Sequence, residues 1–478
     1  MGLERKFGLL LGPLAFLLIF LMPDLMPGKE MANPVIAVAS WMVIWWITET
    51  VSISVTALLP LLLFPLLKVM PMAEVGANYG SPIVFLFFGG FILALALEKV
   101  NLHKRIALTI IKITGTTPNK VVLGFMIATA SLSMWISNTA STVVMLPIAL
   151  SVISLLIDDA DGFTKGDKNF ALSVMLGIAF SANAGGIATV IGTPPNSVMI
   201  GLLENEYNIE ISFLKWMTLG LPFSILLVGI CYLVLVKWMF PNNQLQFQAS
   251  KEVIRGELKK LGPTTGKEKM VLAIFGVIVF LWIFRTVINE ILPGLKLTDT
   301  IISMLGAIAL FSLPYNFRKG DFIITWRDTK RLAWGILILF GGGLALARGM
   351  SVSGIVDVVA SAIAGAELSV LITASLLIIL MLFMTELMSN VALVAVLAPV
   401  VAGIAIGLDI PILYLLIPVT MASSCAFMLP MATPPNAIVF ASGYIKVHQM
   451  ARVGIILNLI SVGLLILVFQ FVVPVLFK

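Results

Sequence analysis

Long runs of apolar residues, separated by short charged segments, dominate this chain. A helix that crosses a bilayer needs about 20 predominantly apolar residues, so each run is a candidate span or part of one. The runs lie at 7–22, 33–48, 50–67, 81–98, 121–156, 169–203, 213–236, 270–292, 299–314, 332–348, 369–405, 411–445 and 451–475. The pattern predicts a polytopic helical membrane protein.

Two of the runs, 121–156 and 369–405, are too long for a single span, and each carries a polar triplet near its middle. We interpret each as a re-entrant helical hairpin that enters the membrane and returns to its own side. The prediction is therefore an all-α membrane protein with about eleven transmembrane helices and two hairpins. An odd number of spans places the N-terminus and the C-terminus on opposite faces.

Composition and charge support this class and orient the chain. With 60% hydrophobic and only 11% charged residues, a water-soluble enzyme, a nucleic-acid-binding domain and a disordered protein are excluded. A cytoplasmic N-terminus would place 23 of the 30 lysines and arginines on the cytoplasmic side, as the positive-inside rule requires. We therefore predict a multi-pass cell-membrane protein with a cytoplasmic N-terminus and an external C-terminus.

The chain contains an internal repeat. Ser-Asn-Thr at 137–139 recurs as Ser-Asn-Val at 389–391, and Gly-Thr-Pro-Pro-Asn at 192–196 recurs as Ala-Thr-Pro-Pro-Asn at 432–436. An odd number of predicted spans separates equivalent points, so the halves have opposite topology. Inverted repeats with interrupted helices are typical of secondary transporters. The predicted repeats are 1–236 and 270–478, joined by a cytoplasmic linker at 237–269.

Each repeat is predicted to hold two helix interruptions, one at the hairpin tip and one in a broken helix at 169–203 or 411–445. Non-helical backbone at membrane depth is tolerated only where it is buried or lines a cavity, so the four breaks should converge. Ser, Thr and Pro suit the first turn of the helix that follows each break. Helix N-termini carry partial positive charge, and none of the breaks contains Lys or Arg, so we predict an anion site built from backbone.

Hydroxyl groups one helical turn before each hairpin tip indicate a second kind of site. Ser133 and Thr385 match at the repeat spacing, and each precedes an asparagine of the tip, Asn138 or Asn390. Together with backbone carbonyls of the breaks they could form a sodium site in each half. A lone Ser-Asn-Thr would more simply mediate helix packing, but its duplication favours function. Glu386 is left open between a functional acid and a support for the hairpin.

At these residues the chain resembles the divalent anion/sodium symporter family, the INDY-type dicarboxylate transporters. The most specific parts are the two tip triplets, both Thr-Pro-Pro-Asn segments and the Thr385-Glu386 pair. The resemblance implies a scaffold domain that forms a homodimer and a transport domain that moves as an elevator. It also implies sodium-coupled uptake of C4-dicarboxylates such as succinate, malate or fumarate, with at least two sodium ions.

The resemblance further assigns individual residues. The implied sodium ligands are Ser133, Ser137, Asn138 and Gly192 in the first half, and Thr385, Met388, Asn390 and Ala432 in the second. The implied substrate contacts are Ser137, Asn138, Thr139, Thr193, Ser389, Asn390, Val391, Thr433 and Pro434. Val391 stands where many members have a third threonine, which removes a hydroxyl donor and affects the breadth of substrates.

Other functions remain as alternatives. A sodium-independent dicarboxylate exchanger, or a symporter of citrate or sulfate, could use the same fold, although the hydroxyls before the tips argue for sodium. An anion channel would need a continuous polar stripe along several helices, and the polar residues are instead localised at breaks. An intramembrane enzyme is not expected, because the chain has no His-Glu-x-x-His motif and no paired aspartates within spans.

Overall fold

The computed structural model describes residues 3–115, 117–157, 164–241, 249–316, 318, 320–366 and 369–477. The chain is 77% helical, which confirms the all-α class, and a two-stranded hairpin joins Pro314–Asn316 to Asp321–Phe322. The α-helices are α1 (Leu3–Leu21), α2 (Ala32–Thr48), α3 (Ile53–Thr56), α4 (Leu59–Leu66), α5 (Met72–Tyr79), α6 (Pro82–Lys99), α7 (Leu102–Thr114), α8 (Pro118–Ser133), α9 (Asn138–Ile157), α10 (Lys165–Gly186), α11 (Pro194–Tyr207), α12 (Phe213–Leu233), α13 (Ala249–Leu261), α14 (Gly266–Ile291), α15 (Asp299–Ser312), α16 (Trp334–Val352), α17 (Ile355–Ala364), α18 (Val370–Met384), α19 (Asn390–Gly407), α20 (Ile412–Ala422), α21 (Pro434–Phe440), α22 (Val447–Leu467) and α23 (Val473–Leu476).

Several helical segments are long and apolar enough to cross a bilayer. In the described part of the chain, six meet both conditions: Met72–Lys99, Phe213–Met239, Gly266–Ile291, Trp334–Val352, Asn390–Gly407 and Val447–Leu476. Shorter apolar helices account for most of the remaining predicted runs, some because the run is interrupted and others, such as Ala32–Thr48 and Asp299–Ser312, because the helix itself is short. The predicted total of eleven spans stays a prediction.

One predicted run is interrupted where we expected a continuous helix. Residues 50–67 form two short helices, α3 and α4, instead of one. Glu49 ends α2 in the left-handed conformation, and Pro60 lies in the first turn of α4, where its missing N–H costs least. The linker predicted at 237–269 contains α13, and its residues 242–248 lie outside the described residues.

The four predicted helix interruptions are present. Each predicted hairpin is a helix–turn–helix, with α8 and α9 flanking 134–137 and α18 and α19 flanking 385–389. The broken helices are α10 and α11, separated by 187–193, and α20 and α21, separated by 423–433. The Ser-Asn-X and Thr-Pro-Pro-Asn segments of the sequence therefore predicted the positions of all four breaks.

The breaks are brought together by packing between the halves. Helix α9 packs against α21, and α11 packs against α19, so an arm of each hairpin contacts a broken helix of the other half. Helix α10 also approaches α8 closely: a Cβ atom on Gly185 would lie 2.5 Å from the carbonyl oxygen of Ala130. Only glycine fits at this contact, which holds the first hairpin against the first broken helix.

Candidate functional site

A cluster of oxygen atoms lies between the first hairpin tip and α10. The Ser133 hydroxyl is 2.5 Å from Asn138 Oδ1 and 2.7 Å from the carbonyl oxygen of Ala182. A hydroxyl has one hydrogen and cannot donate fully to both. With the Asn138 amide turned over, Nδ2 would lie within 3.3 Å of three oxygens, those of Ser133, Ala182 and Gly192. The end of this side chain is thus surrounded by oxygens from three segments.

The second half repeats this geometry. The Thr385 hydroxyl is 2.6 Å from Asn390 Oδ1 and 2.8 Å from the carbonyl oxygen of Ser423. Each hydroxyl lies at the end of the first hairpin arm, and each carbonyl lies where the broken helix of that half ends. The two hydroxyl–asparagine pairs proposed from the sequence are therefore brought together in both halves.

These two clusters have the chemistry of sites for a hard monovalent cation. Their atoms are hydroxyl, amide and carbonyl oxygens, all neutral, and Ser133 and Thr385 are fully buried. Carbonyls at the C-terminal ends of interrupted helices, like those of Ala182 and Ser423, coordinate sodium in secondary transporters. The described contacts do not join Met388 or Ala432 to the second cluster, and the Met388 side chain instead lines a small apolar cavity beside α2.

The tip serines cap the second arm of each hairpin, as predicted. Ser137 Oγ accepts a hydrogen bond from the backbone N–H of Ala140 at 3.1 Å, and Ser389 Oγ accepts one from Ala392 at 3.5 Å. The two triplets differ in exposure. Ser137 and Thr139 are exposed, whereas Ser389, Asn390 and Val391 are half-buried. Both tips present the N-terminus of a long helix, α9 or α19.

The threonines of the two Thr-Pro-Pro-Asn segments are buried, and their hydroxyls have different roles. Thr193 precedes α11 without a side-chain capping bond in the described contacts. Thr433 Oγ1 accepts from the backbone N–H of Asn436 at 3.4 Å and from Asn183 Nδ2 at 3.0 Å. The Thr433 hydroxyl is therefore fixed by the protein but keeps its own hydrogen for donation, and Pro434 beside it is exposed.

The asparagines of the same segments hold the unwound backbone. Asn196 Nδ2 donates to the carbonyl oxygen of Thr189 at 2.9 Å, and Asn436 Nδ2 donates to that of Leu429 at 3.1 Å. Sequence reasoning missed this role, although the duplicated asparagine was the signal for it. It also missed Asn183, which crosses between the halves to reach Thr433 and whose motif is not repeated.

Glu386 is a support for the second break. Its carboxylate is buried and accepts backbone N–H bonds from Phe427, Met428 and Leu429 at 2.8, 2.9 and 3.0 Å. Asn458 Nδ2 donates to the same carboxylate at 2.7 Å. Of the two alternatives that the sequence left open, these contacts favour a supporting role, because the carboxylate is satisfied by the chain itself. The four breaks contain no Lys or Arg.

The chain is strongly apolar and helical, and its interrupted helices pack together at their breaks. This arrangement is typical of secondary transporters. Residues 4–477 match the sodium:sulfate symporter transmembrane region. The chain belongs to this family, which confirms the resemblance to divalent anion/sodium symporters found in the sequence, and it is a multi-pass membrane transporter.

Named relatives and solved structures agree with this class. The sodium-dependent dicarboxylate transporters SdcS of Staphylococcus saprophyticus and Staphylococcus aureus are each 40% identical, over 98% of this chain and 91% of theirs. The YdaH transporter of Alcanivorax borkumensis shares the fold with a TM-score of 0.57 at 11% identity, covering 83% of this chain and 87% of that one. MtrF of Neisseria gonorrhoeae has a TM-score of 0.50 at 14% identity, covering 86% and 85%.

Proposed function

We propose that this protein is a sodium-coupled symporter of C4-dicarboxylates such as succinate, malate and fumarate. The observation that carries the proposal is the duplicated oxygen cluster, Ser133 with Asn138 and Thr385 with Asn390, beside the N-termini of α9 and α19. Relatives described as sodium-dependent dicarboxylate transporters support the choice of ions.

The anion is proposed to lie between the two hairpin tips. The first turns of α9 and α19 offer backbone N–H groups and partial positive charge, which suit one carboxylate each. Polar side chains at the tips and the Thr193 and Thr433 hydroxyls would complete the site with neutral donors. Asn138 and Asn390 would face both ligands, the amide nitrogen towards a carboxylate and the amide oxygen towards a cation.

Charge balance provides the physical reason for sodium coupling. The breaks hold no cationic side chain, and their one charged group, Glu386, is negative. A dicarboxylate would therefore enter a region without fixed positive charge, where an uncompensated charge is costly. Two sodium ions in the oxygen clusters would offset the two carboxylates, and each ion would fix a tip before the anion binds. Movement of this loaded unit as an elevator is part of the proposal.

Uptake of radiolabelled succinate into proteoliposomes tests the proposal directly. We expect an inward sodium gradient to drive accumulation, whereas an equal potassium gradient should not. Succinate exchange that proceeds equally well without sodium would contradict symport and favour the exchanger. Competition by unlabelled fumarate but not by citrate or sulfate would support the C4 assignment.

Replacing the cluster hydroxyls should weaken sodium binding while leaving the contacts of the anion intact. For Thr385→Ala and for Ser133→Ala, we expect the half-saturating sodium concentration to rise at least about tenfold, since a hydrogen bond or ligand contact to a charged group contributes about 1.5–3 kcal/mol. Because coupling is reciprocal, succinate affinity should largely recover at saturating sodium. Half-saturating succinate measured across a sodium series gives both quantities.

Thr373→Ala is the matched control for Thr385→Ala. Thr373 is buried in the same helix, α18, but the one hydrogen bond described for its hydroxyl is donated to the carbonyl of Ser369, within its own turn. The control should transport with unchanged sodium dependence. A Thr385→Ala protein whose succinate affinity stays poor at every sodium concentration would contradict a sodium-ligand role.

A further inference from the structure

A cavity of about 590 Å³ lies between α7 and α13, away from the four breaks. It is lined by Lys112, Arg255, Leu258, Lys259, Gly262 and Pro263. Lys112 is in the last turn of α7, while Arg255 and Lys259 are four residues apart and therefore on one face of α13. Three cationic side chains from two helices thus converge on one open cavity, and we call them the cavity cations.

The acids described near the cavity cations pair with other basic residues. In the described part of the chain, none of them has a carboxylate within ion-pair distance, because the neighbouring acids are engaged elsewhere. Glu257 pairs with Lys104 at 2.9 Å and Lys260 at 2.6 Å, and these hydrogen bonds lower its pKa. Glu268 pairs with Arg105 at 2.6 Å. Among the described residues the cavity therefore carries an excess of positive charge, which an anion would offset.

The wall of the cavity is held in place by Arg105 from α7. Its guanidinium donates to the carbonyl oxygen of Gly262 at 3.0 Å and to that of Leu261 at 3.3 Å, in addition to its pair with Glu268. These bonds fix the segment between α13 and α14 against α7. The two helices that carry the cations are consequently held together before any ligand arrives, which reduces the cost of binding.

The position of the cavity indicates where a ligand would come from. Helix α13 connects Phe213–Met239 to Gly266–Ile291, two segments long and apolar enough to cross a bilayer, so it lies at a membrane surface. Ile113, next to Lys112, is 78% exposed, and Trp238, at the end of the preceding span, is 65% exposed. An exposed apolar side chain, Ile113, therefore adjoins a residue that lines the cationic cavity, and these are the two chemistries that a phospholipid combines.

We propose that this cavity binds a phosphate ester, and that an anionic phospholipid of the surrounding leaflet supplies it. The cavity cations would contact the phosphate, and the acyl chains would lie along exposed apolar side chains such as Ile113. Helix α7 packs closely on α8, where a Cβ on Gly124 would lie 3.1 Å from the Ile111 Cα. The lipid would thus stabilise the arm that carries Ser133.

Lipid binding to the purified full-length protein tests this proposal. Native mass spectrometry would count adducts during titration with phosphatidylglycerol, with phosphatidylcholine of the same chain length, and with glycerol 3-phosphate. We expect retained adducts with phosphatidylglycerol only. In the triple variant Lys112→Gln, Arg255→Gln, Lys259→Gln, affinity should fall by about fivefold for each cation, since a surface cation contributes about 1 kcal/mol to binding an anionic lipid.

The matched control removes three other cations predicted to lie on the same membrane side. The control variant is Lys165→Gln, Arg327→Gln, Lys330→Gln. The three wild-type side chains are exposed, form no ion pair among the described residues and do not line the cavity. This variant should bind phosphatidylglycerol like the wild type. Equal loss in both triple variants, or equal binding of both lipids, would overturn the site. Binding of glycerol 3-phosphate that displaces the lipid would support the phosphate-ester site but overturn the lipid as its source.

Discussion

Asn138→Ala and Asn390→Ala are each expected to abolish sodium-driven succinate uptake. Each asparagine contacts the cluster hydroxyl of its own half, Ser133 at 2.5 Å or Thr385 at 2.6 Å, and begins the helix whose N-terminus faces the proposed anion. Alanine would remove a cation ligand and an anion donor together. Two lost interactions with charged partners, at about 1.5–3 kcal/mol each, would reduce uptake by well over a hundredfold.

Two further variants separate this explanation from a simple packing defect. Asn78→Ala removes a buried asparagine whose described hydrogen bonds go to carbonyls of its own helix, those of Glu74 and Val75, and this variant should transport normally. Asn138→Asp keeps an oxygen for the cation but repels the anion, so it should retain sodium-dependent thermal stabilisation while losing succinate binding. Normal transport by both alanine variants in membranes would show that the tip triplets are only packing elements.

Much of the candidate site could be predicted because the sequence repeats it. Hairpin tips and broken helices can be recognised from residues that favour turns and helix starts. Ser133 and Asn138 recur as Thr385 and Asn390, and this recurrence favoured a functional site over ordinary helix packing. The structure places both pairs within hydrogen-bonding distance. The side chains of the candidate site could therefore be predicted from the sequence.

What could not be predicted depends on backbone or on contacts between distant segments. The carbonyls of Ala182 and Ser423 complete the two clusters, yet any residue type supplies a carbonyl, so no sequence signal marks them. Asn183 crosses from the first half to Thr433, and only the packing of the halves reveals this. The division of 50–67 into two helices was missed because apolar content alone does not report helix continuity.

The two halves differ in how their unwound segments are held. In the first half, the Thr189 hydroxyl donates to the carbonyl of Met134 at 2.5 Å, and Trp216 Nε1 donates to that of Ile187 at 2.9 Å. Glu386 occupies the repeat position of Met134, and the segment it holds, 423–433, is the longer of the two breaks. Successive backbone N–H groups in the longer break have no helical partner, and a carboxylate accepts them.

Glu386→Gln is therefore expected to weaken the second cation cluster indirectly, although Glu386 is not one of the atoms of that cluster. Glutamine has one acceptor oxygen, and its NH₂ group would replace the other. That NH₂ group would face a backbone N–H, so at least one buried N–H would lose its acceptor. Each lost hydrogen bond to the carboxylate costs about 1.5–3 kcal/mol. The segment that carries the Ser423 carbonyl would loosen, and we expect sodium-driven succinate uptake to fall more than tenfold, with a higher half-saturating sodium concentration and a lower melting temperature.

Glu49→Gln provides the comparison, since it removes the same charge from an exposed acid whose only described ion pair, with Arg5, is 3.8 Å long. That variant should match the wild type, because an exposed pair contributes little. Asn458→Leu should reproduce a weaker form of the Glu386→Gln defect, because Asn458 donates to the same carboxylate. If Glu386→Gln instead kept normal sodium dependence but transported with an altered pH profile, the carboxylate would be a proton-linked group rather than a support. Its four described donors, three of which are backbone N–H groups of the second break, favour the support.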